Sequence, residues 1–358
     1  MNVDFLIIGQ GLAGSLLAWE LMQRGCTVLI TDNGKENASQ VAAGLINPIT
    51  GMRMVKTDDI DTLLPAAKML YAELARFFQQ PFYIEKPMLR IFRNVSECHY
   101  GLKRSNTADY HPYLNDNKLG IVPIDHLQTP LGYLEQKQTG YLLTCPLLKC
   151  LKDFFIANNT YQGAVFNYQD LQLTPDLRWH NLNPKMIIFC EGYLAMQNPW
   201  FSWLPFQPAK GEILTLQYPT FLPDKILNYG QWLIPLNNQH IRVGATFDRN
   251  HINLQPTVTG KNSLLKELQV ISPSLSTATL ISHQAHIRPC TLDKQPFIGH
   301  HPHHKKLAIF NGFGAKGSLY IPWYSKLFAD SLLNNTPPPC PIARHYETHF
   351  SGYPFKLR

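Results

Sequence analysis

The first fourteen residues of the chain run from an apolar segment directly into a glycine-rich turn. Residues 3–8 (Val-Asp-Phe-Leu-Ile-Ile) are almost wholly apolar, which is typical of a parallel strand buried on both faces. Residues 9–14 (Gly-Gln-Gly-Leu-Ala-Gly) follow, and the periodicity of 12–24 predicts a helix that begins within them. A second predicted strand, 27–31, ends at Asp32. This order of strand, helix and strand predicts an α/β fold for the region.

The spacing of the three glycines, G-x-G-x-x-G, suits a turn that binds the diphosphate of a dinucleotide. Gly9 permits a tight turn, Gly11 lets a diphosphate approach the backbone, and Gly14 lets the helix pack closely on the strand. A carboxylate at Asp32 can accept both hydroxyls of an adenosine ribose and would repel a 2′-phosphate. The motif alone does not distinguish FAD from NAD. The residues expected to contact the cofactor here are Gly9, Gly11, Leu12, Ala13, Gly14 and Asp32.

The length and apolar content of the chain indicate two structural regions. A chain of 358 residues, 45% of them hydrophobic, exceeds what one core usually supports. Short aromatic and β-branched runs in 82–144, and strands with turn signals in 211–247, indicate antiparallel sheet. We therefore predict an α/β chain, α+β overall, in which a Rossmann-like cofactor-binding domain is interleaved with a smaller antiparallel β-sheet substrate domain. The predicted cofactor domain comprises 1–81, 145–205 and 281–358, and the substrate domain comprises 82–144 and 206–280.

Further elements are predicted from periodicity and from the residues that end them. Residues 38–56 are rich in Gly, Asn, Pro and small side chains, which indicates a long loop. A helix is predicted at 58–80, with Asp58 or Asp59 as its N-cap. The other predicted features are a helix at about 146–157, strands at 186–190 and 307–310, turns at 228–230 and 237–238, and a glycine turn at 312–317 before a helix that ends near 333.

Composition limits the environment and the partners of the chain. The net charge of +7 permits an anionic cofactor, an acidic substrate or RNA, but no run of five Lys or Arg marks a nucleic-acid patch. Seven cysteines without a C-x-x-C pair predict reduced thiols in a cytoplasmic protein. No apolar segment is long enough to predict a membrane span. The pairs at 300–301 and 303–304 are histidines in an apparent turn, which predicts a solvated loop and no metal site.

Four further stretches carry motifs. They are 38–48 (Ala-Ser-Gln-Val-Ala-Ala-Gly-Leu-Ile-Asn-Pro), 189–192 (Phe-Cys-Glu-Gly), 286–299, with the pattern R-P-x-T-x-D-x-x-P-x-I-G, and 311–318 (Asn-Gly-Phe-Gly-Ala-Lys-Gly-Ser). Together with the first glycine turn they resemble the D-amino-acid oxidase and glycine oxidase family of flavoproteins over nearly the whole chain. The resemblance implies FAD as the cofactor. The further FAD contacts that it implies are Ser39, Ala43, Gly44, Val165, Gly192, Arg288, Gly312, Gly314, Ala315, Lys316, Gly317 and Ser318.

Within this family the order of motifs is most similar to the FAD domain of a bifunctional enzyme that makes 5-methylaminomethyl-2-thiouridine in tRNA. Residues 141–146, 244–247 and 314–317 carry this likeness. It implies, as an alternative substrate, a tRNA wobble uridine whose carboxymethyl group is removed. That alternative needs one basic face made of Lys86, Arg90, Arg93, Lys103, Arg104, Arg344, Lys356 and Arg358.

The resemblance also implies an oxidation of a small amine or amino-acid substrate, in which two cationic residues act. Arg288 is expected to hold the substrate carboxylate in a two-bond fork, the alternative being a structural arginine that pairs with Asp293 or with a C-terminal carboxylate. Lys316 is expected to stabilise the negative charge of reduced flavin, the alternative being a side chain in solvent. Because 312–318 contain no Cys or His, we expect non-covalent FAD. No general base is assigned, and His286 and His240 are expected to be structural.

Two questions stay open at the level of sequence. The electron acceptor is not indicated: oxygen, a quinone and another protein are all compatible with these motifs. A third, non-enzymatic possibility is that the chain is an FAD-bound scaffold or subunit whose flavin is not turned over.

Overall fold

The chain divides into two compact units. The computed structural model describes residues 1–115, 126–218, 223–236 and 239–350, so the turn predicted at 237–238 lies outside the described residues. Residues 43–81, assigned from sequence to the cofactor domain, lie in the second unit, and the two units are similar in length, so neither is markedly smaller. Among the described residues, the first unit comprises Met1–Ala42, Thr144–Ala209 and 287–350, and the second comprises those within Ala43–Leu143 and Lys210–His286.

The described chain contains both α-helices and β-strands. The α-helices are α1 (Leu12–Gln23), α2 (Ala38–Val41), α3 (Ile60–Phe78), α4 (Val95–Ser105), α5 (Thr144–Ala157), α6 (Val258–Ile271) and α7 (Gly317–Asn334). The strands are β1 (Asn2–Ile8), β2 (Val28–Asp32), β3 (Leu45–Ile46), β4 (Ile49–Thr50), β5 (Val55–Lys56), β6 (Tyr83–Glu85), β7 (Met88–Ile91), β8 (Tyr133–Gln136), β9 (Gly140–Leu142), β10 (Tyr161–Gly163), β11 (Leu171–Gln172), β12 (Arg178–Trp179), β13 (Asn183–Phe189), β14 (Ala209–Gln217), β15 (Ile226–Asn228), β16 (Trp232–Pro235), β17 (His240–Gly244), β18 (Thr279–Arg288), β19 (Phe297–His300) and β20 (Leu307–Asn311).

The first unit is built on a six-stranded sheet in the order β10-β2-β1-β13-β20-β19. Its neighbours pair in parallel except for β19, which runs antiparallel to β20. β1 is buried on both faces, with Leu6 and Ile7 fully inaccessible to solvent, as the continuous apolar run predicts. Helices α5 and α7 pack on α1. Because parallel strands end at the same edge, the carboxyl ends of β1, β2 and β13 lie together.

The second unit contains a seven-stranded sheet in the order β18-β14-β17-β16-β15-β7-β8. The sheet is mainly antiparallel, as predicted, but β7 and β15 pair in parallel. One face carries an apolar cluster that includes Leu89, Leu214, Leu233 and Val243, together with Leu264 of α6. The parallel pair arises because β7 and β15 belong to separate segments of the chain, so a short hairpin does not join them.

Three local predictions need correction. The predicted loop at 38–56 contains α2 and the short strands β3, β4 and β5, and β3 pairs with β9, which places it in the second unit. Region 82–144 contains the helix α4, in which the buried positions are Glu97 and Gly101, so no large apolar side chain marks its inner face. Helix α3 begins at residue 60 and not at 58; Asp59 is its N-cap, as predicted, but has a φ of +54° and makes no side-chain capping hydrogen bond.

None of the helices in the described ranges combines the length and the apolar character needed to cross a bilayer.

Candidate functional site

The turn between β1 and α1 is closed by its own backbone. Gly9 adopts a φ of +104°, and its amide donates to the Thr31 carbonyl at 2.8 Å. A Cβ atom at Gly9 would lie 2.6 Å from the carbonyl oxygen of Cys190, and one at Gly14 would overlap the Gly9 carbonyl oxygen. Both positions therefore exclude a side chain because of the packing of this protein itself.

Gly11 differs from these two glycines. It is the N-cap of α1 and, having no side chain, makes no capping hydrogen bond. A Cβ added at Gly11 would lie 3.4 Å from the Ser39 hydroxyl oxygen, which is an ordinary contact. The Leu12 amide donates to that hydroxyl at 3.0 Å, whereas the remaining amides of the first turn have no acceptor within the helix. Space beside Gly11, unused N–H groups and the positive end of the helix dipole together suit an anionic group.

Asp32 lies at the end of β2 beside this turn. Its Oδ2 atom accepts a hydrogen bond from the Gln10 amide, and its Oδ1 atom accepts one from the Gly34 amide, both at 2.8 Å. A carboxylate has about four acceptor sites, so each oxygen retains capacity for a ribose hydroxyl. The two hydrogen bonds from these backbone amides fix the orientation of the carboxylate next to the glycine turn.

The residues predicted from 38–48 divide between the two units. Ser39 lies in α2, whose N-terminus is held by a capping box between Asn37 and Gln40. Ala43 and Gly44 lie in the second unit. Gly44 has a φ of +69°, a Cβ there would overlap the Leu142 carbonyl oxygen, and the Leu142 amide donates to the Gly44 carbonyl at 2.9 Å. The close approach of two strands therefore accounts for this glycine.

Gly192 follows the end of β13 at the same edge of the first sheet. It has a φ of +60°, and a Cβ added there would meet no atom within 4 Å. Its carbonyl accepts a hydrogen bond from the Asn311 side chain at 2.9 Å. Val165, the other predicted contact in this part of the chain, is 70% exposed. The left-handed backbone accounts for glycine at 192, and the space beside it is open.

A functional candidate that the sequence analysis did not select is Glu191. Its Oε1 atom accepts a hydrogen bond from the Tyr168 hydroxyl at 2.6 Å, and its Oε2 atom accepts one from the Asn198 side-chain amide at 2.8 Å. Burial raises the pKa of the Glu191 carboxyl to about 7, although both hydrogen bonds act in the opposite direction. The sequence signal was an acidic residue between a fully apolar strand and the predicted site residue Gly192.

The second glycine turn, 312–317, lies between β20 and α7. Gly312 has a φ of +82°, and a Cβ there would lie 2.7 Å from the Thr291 methyl carbon. Gly314 has a φ of +54°, and its Cβ would lie 3.4 Å from the Cys290 sulfur. A thiol therefore lies beside the turn although 312–318 contain none. Of the remaining predicted contacts, Ala315 is exposed, Gly317 is half-buried and Ser318 is buried.

The two predicted catalytic residues lie at the ends of elements. Arg288 ends β18 and is half-buried, and burial lowers the pKa of its guanidinium group, which nevertheless stays charged near neutral pH. Asp293, one alternative partner considered for it, forms an ion pair with Arg344 at 2.8 Å, and its Oδ2 atom lies 3.2 Å from Nε2 of His345, whose pKa is lowered by burial. Lys316 is the N-cap of α7, and its ammonium nitrogen lies 5.7 Å from the centre of the Tyr320 ring.

The histidines at 300–304 do not form the predicted solvated loop. His301 is fully buried, and burial lowers its pKa to about 3. Its Nδ1 atom accepts hydrogen bonds from the amides of His303 and His304, at 3.3 and 3.1 Å, so it organises the turn. Within the part of the chain that the structure describes, no group of three or more His, Cys, Asp or Glu is placed to hold a metal ion.

The sequence was compared with protein families and with individual proteins. A family model described as an FAD-dependent oxidoreductase (DAO) matches residues 4–331. The glycine oxidase of Pseudomonas putida is 32% identical over 143 residues, which are 39% of this chain and 39% of that protein. The tRNA 5-methylaminomethyl-2-thiouridine biosynthesis bifunctional protein MnmC of Acinetobacter baylyi is 24% identical over 95% of this chain, and the match spans 54% of its length. Both matches thus cover less than two thirds of the related protein.

A comparison with solved structures concerns the fold. The crystal structure of glycine oxidase from Geobacillus kaustophilus superposes with a TM-score of 0.78 at 19% identity, covering 94% of this chain and 95% of that one. This likeness confirms the α/β architecture predicted from the sequence.

Proposed function

The chain belongs to the DAO family of FAD-dependent oxidoreductases, and on this basis we propose that it oxidises a carbon–nitrogen bond of an amino acid or an N-substituted glycine. The observation that carries the proposal is that a Cβ on Gly11 would make only ordinary contacts, unlike one on the crowded Gly9 or Gly14. A bound diphosphate gives a reason for glycine there, because the packing of the protein itself tolerates a side chain.

The residues at this edge of the sheet fit the cofactor. The first-turn amides of α1 and the Ser39 hydroxyl suit the diphosphate, and Asp32 suits the adenosine ribose. FAD, bound without a covalent link in this proposal, supplies the electron-accepting chemistry of the flavin ring, which takes up a hydride from the carbon next to the substrate nitrogen. Water then hydrolyses the released imine to a carbonyl compound and an amine.

Arg288 binds the substrate carboxylate in this proposal. A guanidinium group forms two parallel hydrogen bonds with a carboxylate, and its half-buried position strengthens them by excluding water. Fixing the carboxylate fixes the adjacent C–H bond, which is the bond that must be oriented for hydride loss. The amides at the start of α7 and the Lys316 ammonium supply positive potential for the charge of the reduced cofactor.

An anaerobic substrate screen tests the proposed reaction. The purified protein with FAD is mixed with glycine, sarcosine, other N-substituted glycines and D-amino acids, and the flavin absorbance is followed. Bleaching by at least one of these amines, with release of the matching carbonyl compound, is expected. If none of them bleaches the flavin although FAD is bound, the chain is a scaffold or acts on another class of substrate.

Arg288→Ala tests the carboxylate site. We expect KM for the best carboxylate substrate to rise about 100-fold, which corresponds to the loss of about 3 kcal/mol from a charged pair, while the flavin spectrum stays the same. The matched control is Arg178→Ala, which removes an exposed arginine of the first unit. An unchanged KM in Arg288→Ala would exclude this role.

A second candidate function is the removal of a carboxymethyl group from a tRNA wobble uridine. The match to MnmC over 95% of the chain favours it. The basic face that it needs is weaker than the sequence suggested, because Arg90 is only 5% exposed and is bound by Asn228 and Glu97. Residues 356 and 358 of that face lie outside the described residues. Binding of tRNA that weakens steeply with salt would support this candidate, and binding that ignores salt would count against it.

A further inference from the structure

Glu191 stands next to the turn at which the diphosphate is proposed to bind. A Cβ atom placed on Gly9 would lie 3.6 Å from the Glu191 Cα atom, so the two backbones are in contact. The position is fixed from the other side by the Cys190 amide, which donates to the Ile8 carbonyl at 2.8 Å. The backbone of Glu191 is thus anchored at the edge of the sheet where an anion is expected.

The surroundings of this carboxyl group are aromatic and uncharged. The ring of Tyr168 packs edge-on against Trp200, and Trp200 stacks on Phe189. The two hydrogen-bond donors, the Tyr168 hydroxyl and the fully buried Asn198 amide, are both neutral. Among the described residues, no Lys, Arg or His forms an ion pair with Glu191. In these contacts, no positively charged group offsets the negative charge of the ionised Glu191 carboxyl.

The titratable groups that interact with Glu191 are Tyr168 and Cys190. Tyr168 lies on the segment before β11, and Cys190 precedes Glu191 directly. Burial raises the pKa of the Tyr168 hydroxyl and of the Cys190 thiol well above their ordinary values, so both stay protonated through the neutral range. Glu191 is therefore the group expected to change its charge near neutral pH.

We propose that Glu191 takes up a proton when FAD binds, which links the affinity for the cofactor to pH. An ionised carboxyl beside the glycine turn would repel the two negative charges of the diphosphate, and a protonated one would not. The inference rests on the proposed binding of FAD at this turn. The inference adds a group whose charge must be neutralised when the cofactor binds. The glycines, Asp32 and Ser39 are proposed only to contact the cofactor.

The direction of the pH dependence follows from this linkage. Below about pH 7, which burial sets as the pKa of the Glu191 carboxyl, the FAD-free protein already carries the proton, and the dissociation constant is flat. Above that pH each binding event must take up a proton from solution. The dissociation constant then rises by up to tenfold per pH unit, until the pKa of Glu191 in the complex is reached. FAD itself has no group that titrates near neutral pH, so the slope belongs to the protein.

The experiment measures FAD binding and proton uptake with the FAD-free form of the full chain. Dissociation constants are obtained from the quenching of FAD fluorescence between pH 6 and pH 9. Calorimetric titrations at pH 8, in buffers of different ionisation enthalpy, count the protons taken up. We expect a flat region, then a rise in the dissociation constant, with close to one proton taken up at pH 8. A flat profile with no proton uptake would overturn the inference, and absence of FAD binding at every pH would overturn the proposed function instead.

Variants assign the proton to the residue. Glu191→Gln keeps the shape and can still bond to Tyr168 and Asn198, and it should show no proton uptake and a dissociation constant at pH 9 close to that of the wild type at pH 6. Tyr168→Phe removes a donor that favours the ionised carboxyl, so its rise should begin at higher pH. Asp170→Asn is the matched control, because it removes an exposed carboxylate from the same segment and should retain the wild-type slope. If Glu191→Gln keeps the wild-type slope, another group carries the proton. If Glu191→Gln does not fold, the number of protons that the wild type takes up on binding FAD at pH 8 still tests the inference.

Discussion

The two glycine turns of the first unit look alike in sequence but are specified in different ways. In the turn at 9–14 the glycines are crowded by neighbouring backbone, since Gly9 lies against the Cys190 carbonyl and Gly14 lies against Gly9 itself. In the turn at 312–317 the atom closest to a Cβ on Gly312 is instead a side-chain atom, the Thr291 methyl carbon, whereas a Cβ on Gly314 would make only an ordinary contact with the Cys290 sulfur. Backbone atoms that crowd a glycine cannot be removed by mutation, whereas a side chain that crowds it can be replaced by a smaller one. The first turn is therefore a fixed feature of the sheet and helix, and the second depends on which residues the 290–297 segment carries.

The largest effect is expected from Gly14→Ala in the first turn. The new methyl group would overlap a backbone oxygen, and neither partner can move without separating α1 from β1. We expect the free energy of unfolding to fall by about 3 kcal/mol or more and FAD binding to be lost. Chemical denaturation and FAD fluorescence measure both quantities. Gly163→Ala is the control, because its nearest atom would be a Tyr161 ring carbon at 3.8 Å. Equal stability of the two variants would refute the crowding argument.

A smaller and partly reversible effect is expected from Gly312→Ala in the second turn. Its Cβ would lie 2.7 Å from the Thr291 methyl carbon, and its φ of +82° strains any other residue. We expect a loss of about 2 kcal/mol in the free energy of unfolding. Adding Thr291→Ser removes that methyl group but keeps the hydroxyl that donates to the Gln295 carbonyl at 2.9 Å. The double variant should recover about half of the loss. Additive losses in the double-mutant cycle would show that Thr291 is not the obstacle.

Gly11→Ala should separate the needs of the cofactor from those of the fold. A Cβ there makes only an ordinary contact with the Ser39 hydroxyl, so the free energy of unfolding without FAD should change by less than about 1 kcal/mol. The dissociation constant of FAD should rise by about tenfold, which corresponds to about 1.4 kcal/mol. Denaturation of the FAD-free protein and FAD titration give the two values. A loss of stability without a loss of affinity would mean that the protein, and not the cofactor, requires this glycine.

A distinction between local and distant contacts explains which elements and residues could be predicted from the sequence. β1, α1 and β2 end within about two residues of their predicted bounds because each rests on the periodicity of its own segment. Helix α4 escaped prediction because its buried positions are Glu97 and Gly101 and not large apolar residues. Glu191 escaped because its environment is made by Tyr168 and Asn198, which lie 23 positions before it and seven after it. The crowding of Gly312 by Thr291 likewise joins separate segments, so the sequence predicted the turn at 312–317 but not this contact.

The smallest predicted effect concerns the charge at the second turn. Lys316 caps α7, and its ammonium lies 5.7 Å from the centre of the Tyr320 ring, so it adds to the positive end of the helix without being buried there. A cation at a helix end of this kind contributes about 0.5–1 kcal/mol, which for a two-electron flavin corresponds to about 10–20 mV. Lys316→Met should therefore lower the reduction potential of bound FAD by that amount and leave the FAD affinity nearly unchanged. Lys326→Met, which removes a cation from a more distant, exposed position of α7, is the control. If the two variants give the same potential, the backbone amides of α7 supply the positive potential on their own, and the second turn, like the first, acts on the cofactor through its backbone.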